Sequence, residues 1–386
     1  MQRIKNKNIG YRPTWAEVNL SALQFNFNQV KRLVGRKTKV MAVVKCDAYG
    51  HGLLPVAERL EKLGADYLGV ASIDEAIILR KNKIRLPILV LGNIVGQDDG
   101  KAIIDYNLTQ TLSDYKLGFK LNQIAKKRGR DVRVHIKVDT GMGRLGILYK
   151  EAIKFIKQID QLTNIRIEGV FTHFPCADTD PGFTRQQIDI FSGLIKELKK
   201  TAIKIPLFHA ANSMGVIAYP ESHFNLIRPG LMLYGLYPKQ GLDIELKQVL
   251  SLKSRVIYSK RLPPGQGISY GRSYITKKET TVIVLPIGYG DGYSRNLSNR
   301  ADVLIKGRRF RISGTVCMDQ IMIDVGDSKI KIDEEAVLIG SQGNAQIRTE
   351  ELARIAGTIP YEIICGIGSR VPRVYISPVR KDRVSI

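Results

Sequence analysis

Residues 41–52 read MAVVKCDAYGHG. The run begins with the apolar residues of a buried strand and ends on Lys45, whose charged form is costly to take out of water. Asp47, Tyr49 and two glycines follow at once. A core strand that delivers a lysine to its tip reads as a strand that ends in a site. In an α/β barrel the catalytic groups collect at the C-terminal ends of the strands.

Working outward from Lys45, the same kind of run recurs. VMAVVK, DYLGVAS, PILVLG, LTQTL, VRVHIKVD, IRIEGVFTH, PLFHAAN and NLIRPGLMLYG are eight short apolar segments. Helical patterns such as LLPVAERLEKLG, IDEAIILRKN, DYKLGFKLNQIAKKRG, KEAIKFIKQIDQL and FTRQQIDIFSGLIKELKK lie between most of them. Strands that alternate with helices predict parallel βαβ units. Eight units predict a (β/α)8 TIM-type barrel. A doubly wound sheet is the second choice, because no G-x-G-x-x-G opens the first strand–helix turn. Ahead of the barrel rhythm, TWAEVNLSALQFNFNQVKRLVG predicts a short strand and a helix, with Ser21 as the helix N-cap. Near residue 245 the helical signal fades. VLSLKSRVIYSKRL, ETTVIVLPIG, ADVLIKGRRFRISGTV, IMIDV and AVLIG read as strands, and only TEELARIAG as a helix. The predicted organisation is an N-terminal arm over 1–13, a barrel over 14–245 and a β-rich domain over 246–386.

Composition narrows the function classes. At 44% hydrophobic and 25% charged residues the chain is of ordinary globular type. No apolar run approaches the roughly 20 residues of a membrane-spanning helix. The basic start MQRIKNKNIGYRPTW is not followed by an apolar signal core, so the expected location is the cytoplasm. Cys46, Cys176, Cys317 and Cys365 are far apart in sequence and form no C-x-x-C pair. That speaks against a zinc site or a disulfide framework and for buried reduced thiols. The net charge is +24, but its clusters KRLVGRKTK, KKRGR and KGRRFR carry no interleaved aromatics. The reading is a solvated basic surface that attracts small anions, with no nucleic-acid or membrane partner.

The remaining strand ends are also polar. The fifth gives KVDTGMGRLG, with Lys137, Asp139 and Arg144. The sixth ends in His173, and the seventh in HAANSMG, with His209, Asn212 and Ser213. The eighth gives IRPGLMLYG, with Arg228 and Gly230. Lys45 alone is equally readable as a lysine that snorkels to the surface or pairs with Asp47. A buried amine of lowered pKa, however, is a nucleophile for carbonyl compounds such as pyridoxal phosphate. Loops after the seventh and eighth strands often cradle a phosphate, and here they carry Ser213 and Gly230. Arg228, if it faces a pyridine nitrogen, can only donate to it. The ring is then a weaker electron sink, which suits a reaction that returns the Cα proton.

Taken together, VVKCDAYGHG, KVDTGMGRLG, THF, ANS, RPGLMLYG, SYGRSY, IGYGDGY, GTVCMDQ and RVPRVY resemble alanine racemase, in order, from about residue 14 to 376. The resemblance implies a pyridoxal-phosphate enzyme that interconverts L- and D-alanine and supplies D-alanine for cell-wall peptidoglycan. It also implies a homodimer with two shared active sites. By position, Lys45 would bind the cofactor covalently and act on one face of Cα. Tyr270 of the other subunit would act on the opposite face. Tyr49, Ser213 and the backbone at Gly230 and Leu231 would hold the phosphate, with Asn212 beside them. Arg228 would face the ring nitrogen, and His173 would bridge Arg228 and the second tyrosine. Arg144 and the backbone at Met318 would bind the substrate carboxylate. Lys137 matches a lysine that is carbamylated in some members, and no metal is implied.

Two positions depart from the family pattern. Cys46 replaces a small alanine-like residue beside the lysine. Ser369 falls where a tyrosine near the cofactor phosphate is expected. Other readings are a racemase of serine or lysine on the same scaffold, a decarboxylase and a non-catalytic cofactor carrier. A decarboxylase would be expected to set a carboxylate, not Arg228, against the ring nitrogen.

Overall fold

The computed structural model describes residues 11–93 and 96–376. The predicted arm is thus described only from residue 11. All eight predicted barrel strands form. In sheet order they are Leu226–Ile227, Lys39–Val43, Tyr67–Val70, Ile88–Val90, Thr109–Leu112, Val132–Asp139, Ile165–Phe171 and Leu207–His209, each parallel to its neighbour. Between the first and last strands of that order there is no ladder. The seam is closed by the Arg228 N–H donating to Ala211 O at 2.9 Å and by the Asn225 side chain accepting from Phe208 N at 2.8 Å. The result is a nearly closed (β/α)8 barrel. Its apolar core fills the space between strands and the outer ring of helices, as in Val40, Ala42, Leu68, Val70, Ile88 and Val134, all fully buried. Each such valine, leucine or isoleucine side chain contributes about 1.5–3 kcal/mol by leaving water.

The second domain is built on two sheets, one mixed and one antiparallel. One sheet runs Arg308–Arg311, Asp302–Ile305, Glu335–Gln342, Leu250–Arg255, Thr14–Asn19 and Arg373–Ile376. The other runs Tyr258–Leu262, Thr280–Leu285 and Ile321–Gly326. In Leu250–Arg255 and Ile321–Gly326 buried and half-buried residues alternate. That is the pattern of a sheet with one face in the core.

Three sequence expectations are corrected here. The strand Thr14–Asn19, placed in the barrel by the predicted boundaries, pairs antiparallel with Leu250–Arg255 and parallel with Arg373–Ile376. The barrel already has its eight strands, whereas the second sheet lacks a strand between these two. A further helix, Pro360–Cys365, follows Thr349–Ala356. At six residues it is too short to show helical periodicity. The helix Leu20–Val34 is capped by Asn19, not Ser21. The Asn19 carboxamide oxygen accepts from Ser21 N at 2.9 Å and Ala22 N at 3.0 Å. Replacing Asn19 by alanine is therefore expected to lower stability by about 1 kcal/mol in chemical denaturation, with Ser21→Ala nearly neutral.

Candidate active site

The strand Lys39–Val43 ends in a left-handed turn. Cys46, Asp47, Ala48 and Tyr49 all have φ between 52° and 55°. For side chains with a Cβ this costs about 1–2 kcal/mol per residue. Several contacts hold it in place. Glu75 accepts from Cys46 N at 2.6 Å and from Ala71 N at 2.7 Å. Asp47 accepts from Leu53 N at 2.7 Å. The Tyr49 ring packs 4.8 Å from the Tyr234 ring and 5.9 Å from Tyr361. Gly50 closes the turn against the second domain: a Cβ there would lie 2.3 Å from Ile364 O, so no larger residue fits. The turn thus aims Lys45 while docking the barrel onto the helix Pro360–Cys365.

Lys45, Tyr49, Lys137, Arg144, His173, Asn212, Ser213, Arg228, Gly230 and Leu231 all line one cleft of about 500 Å³, together with Tyr361. The lining contains four cationic side chains and no Asp or Glu, which suits an anionic ligand. Burial first, then the Arg144 charge, lower the Lys45 pKa. Burial, Arg144 and Arg228 bring Lys137 down to about 8. Burial alone brings Arg228 down to about 9, so it is still a guanidinium at neutral pH.

The anion cradle can be read from donor valences. Ser213 Oγ accepts from Gly230 N at 3.1 Å and from Met232 N at 3.3 Å. Both acceptor positions are then used, and its own proton is left to donate. Burial, with Tyr361 next, raises the Tyr49 pKa, so the phenol keeps its proton and donates as well. Gly230 permits this approach, since a Cβ there would lie 2.5 Å from the Tyr49 hydroxyl. A serine hydroxyl and a tyrosine hydroxyl beside a reactive amine fit a phosphorylated aldehyde such as pyridoxal phosphate. Arg228 Nη2 is 3.3 Å from His173 Nδ1. Burial and then Arg228 keep His173 neutral, so Nδ1 accepts and the proton sits on Nε2.

Other predicted residues stand elsewhere. His209 lies fully buried inside the barrel, beneath Arg228, and does not line the cleft. Asp139 shapes a loop, accepting from Gly141 N and Met142 N at 2.8 Å and from Gly143 N at 2.9 Å. Lys45 forms no ion pair with Asp47 among the described residues. Tyr270 and Met318 sit together in the second domain, around a separate depression with Ser269, Cys317, Asp319 and Gln320. The Tyr270 side chain is 73% exposed. Ser369 is exposed and absent from the cleft. The tyrosine that lines the cleft with Tyr49 is Tyr361, on the short helix the sequence did not reveal. Nor are the thiols buried: Cys46 is exposed, and Cys176, Cys317 and Cys365 are partly so.

Comparison with known proteins covers nearly the whole chain. Residues 18–238 match the family described as "Alanine racemase, N-terminal domain", and residues 249–375 match "Alanine racemase, C-terminal domain". The chain is 47% identical over 374 residues to a protein of Halothermothrix orenii named "Alanine racemase", covering 96% of this chain and 98% of that one. A protein of the same name in Symbiobacterium thermophilum is 44% identical over 371 residues, covering 95% and 98%. The solved structure of an alanine racemase of Clostridium difficile superposes with a TM-score of 0.90 at 39% identity, covering 95% of this chain and 96% of that chain. The barrel, the cationic cleft at its strand tips and these matches place the chain in the alanine racemase family of isomerases.

Proposed function

We propose that the protein interconverts L- and D-alanine, using pyridoxal phosphate bound covalently at Lys45, as a homodimer whose two sites are each shared between subunits. The observation that carries this reading is the convergence of Lys45, Arg228, Arg144 and the Ser213–Gly230 cradle in one cleft without a carboxylate. Pyridoxal phosphate, when bound, draws electrons from Cα and so acidifies its proton. The phosphate is held by Tyr49 and Ser213, by the backbone at Gly230 and Leu231, with Asn212 capping the adjacent helix and Tyr361 alongside. Arg228 faces the ring nitrogen as a donor only. The absence of a carboxylate from the cleft lining disfavours the decarboxylase reading.

Lys45, half-buried with a lowered pKa, exchanges a proton on one face of Cα. The partner subunit's Tyr270 exchanges one on the other. Tyr270 and Met318 are exposed on one chain and lie outside its own cleft, which supports their use by a second copy. A two-fold axis would then complete two identical sites. Arg144 and the backbone at Met318 hold the substrate carboxylate, and His173 orders Arg228. The same reading sends the D-alanine to bacterial cell-wall peptidoglycan and places the enzyme in the cytoplasm. The direct test is purified protein with pyridoxal phosphate and L-alanine, with D-alanine followed by chiral chromatography. L-serine and L-lysine are run in parallel. D-serine or D-lysine without D-alanine would refute the substrate assignment.

Lys137 is proposed to be carbamylated. Lys137 and Arg144 line the same cleft, which has no carboxylate in its lining, and the Arg144 charge helps lower the Lys137 pKa. Carbon dioxide adds to the neutral amine with loss of a proton, and the product is an anion able to pair with Arg144. Only the free amine reacts, and a pKa of about 8 makes it available near neutral pH. With ¹³C-bicarbonate, a carbamate resonance is expected to grow as the pH rises from 7 to 8 and to be missing from Lys137→Ala. A wild-type spectrum without that resonance would show an unmodified lysine.

A further inference from the structure

Arg228 is a buried cation without an adjacent counter-charge. Its guanidinium donates to His209 Nδ1 at 2.7 Å, Thr172 O at 2.7 Å, Ala210 O at 2.9 Å and His173 Nδ1 at 3.3 Å. All four acceptors are neutral. Among the described residues it makes no contact with a carboxylate. A buried charge left in this way is expensive.

The route to a carboxylate runs down the barrel axis. His209 Nε2 lies 2.8 Å from His135 Nδ1. His135 Nε2 lies 3.4 Å from Glu168 Oε2, close enough for a charge contact though not aligned as a hydrogen bond, and it has no hydrogen-bond partner among the described residues. Both imidazoles are fully buried, and burial keeps both neutral. The proton positions then follow from valence. Arginine cannot accept, so His209 Nδ1 is the acceptor and Nε2 carries the proton. That proton is donated to His135 Nδ1, so the His135 proton is on Nε2, the ring nitrogen nearest Glu168. Every donor along the chain faces the same way. The barrel makes room for it, as a Cβ at Gly169 would lie 2.7 Å from His135 Nδ1. The His209 ring is fixed by stacking on Phe171, with centroids 4.7 Å apart. At the far end Glu168 also meets Thr109 Oγ1 at 3.3 Å, Arg133 Nε at 3.9 Å and the Tyr67 hydroxyl.

We propose that Glu168, through His135 and His209, is the counter-charge of Arg228. These three are positioning residues: they fix the guanidinium and tune how strongly it donates to the ring nitrogen of the cofactor. That last step rests on the proposed function above. The two hydrogen bonds from Arg228 to His209 and from His209 to His135 polarise one another in a dry interior, and the carboxylate 3.4 Å beyond them acts through its field.

The test uses the full chain labelled with ¹⁵N-histidine, with and without added pyridoxal phosphate. Without cofactor, His209 and His135 are both expected as neutral Nε2–H tautomers at neutral pH. A protonated Nδ1 on either ring, or an imidazolium, overturns the proposal and needs no variant. In Glu168→Gln the His135 Nε2–H resonance is expected to move upfield, because a negative charge 3.4 Å from that nitrogen is replaced by a neutral amide. With cofactor, kcat is expected to fall about tenfold with KM for alanine changed less than about twofold, and Glu168→Asp is expected to recover most of it. Unchanged kcat together with an unchanged His135 resonance in Glu168→Gln overturns the proposal. If the tautomers and the His135 shift are as expected but ¹⁵N-labelled pyridoxal phosphate shows the same ring-nitrogen shift in both proteins, the relay stands. The placement of Arg228 against that nitrogen then fails.

Discussion

Lys45→Ala protein is expected to lose racemisation in both directions, by about 10³-fold or more, since one residue supplies both the covalent anchor and a proton-transfer group. The structure makes this a chemical loss more than a structural one. Lys45 lies half-buried at a strand tip, and the turn behind it is held by Glu75, Asp47 and Gly50 rather than by the lysine side chain. The variant should therefore melt near the wild-type temperature. Borohydride treatment with pyridoxal phosphate gives the second readout. In the wild type the Lys45 peptide should gain the mass of the reduced cofactor, and in the variant no peptide should replace it. Activity within tenfold of wild type in Lys45→Ala would remove the lysine from the mechanism.

Tyr270→Phe carries the other large effect. It deletes one oxygen from an exposed ring, so its cost to stability should be small. Its cost to turnover should be about 10²- to 10⁴-fold, the range of a lost general acid or base. The decisive form of the experiment mixes the two inactive proteins, Lys45→Ala and Tyr270→Phe, and lets subunits exchange. If each site takes Lys45 from one subunit and Tyr270 from the other, every hybrid dimer regains one intact site. Random exchange then restores about a quarter of wild-type activity. If both residues served the same subunit's site, each hybrid site would keep one defect and the mixture would stay inactive. The separation of Tyr270 from the Lys45 cleft within one chain favours the first outcome.

The barrel was legible because its signals are local. Eight apolar segments of strand length between helical patterns leave few other solutions, and polar residues at their ends mark one face of the barrel. Lys45, Arg144, His173, Ser213 and Arg228 were found in that way, and they meet in one cleft. His209 shows the limit of the method. Its strand ends at residue 209, so the sequence places it with the site, yet the pleat turns it inward to Arg228 and His135. Ser369 and Tyr361 show the same limit in the second domain. Both lie near the C-terminal end, and only the docking of Pro360–Cys365 on the turn behind Lys45 brings Tyr361, not Ser369, to the cleft.

What the amino-acid order determined by itself was the fold class, the switch to a β-rich domain near residue 245, and the residue types at each barrel strand tip. These depend on periodicity and short-range propensity, which act over a few residues. The tertiary structure alone decided three further matters. The strand Thr14–Asn19 joins the second sheet, because a sheet takes its strand from wherever the chain can reach. Four residues after Lys45 adopt a left-handed turn, because distant contacts from Glu75, Tyr234 and Ile364 outweigh a local preference that forbids it. Arg228 is joined through the buried His209 to His135, which lies 3.4 Å from Glu168, because residues 135, 168, 209 and 228 become neighbours only when the barrel closes.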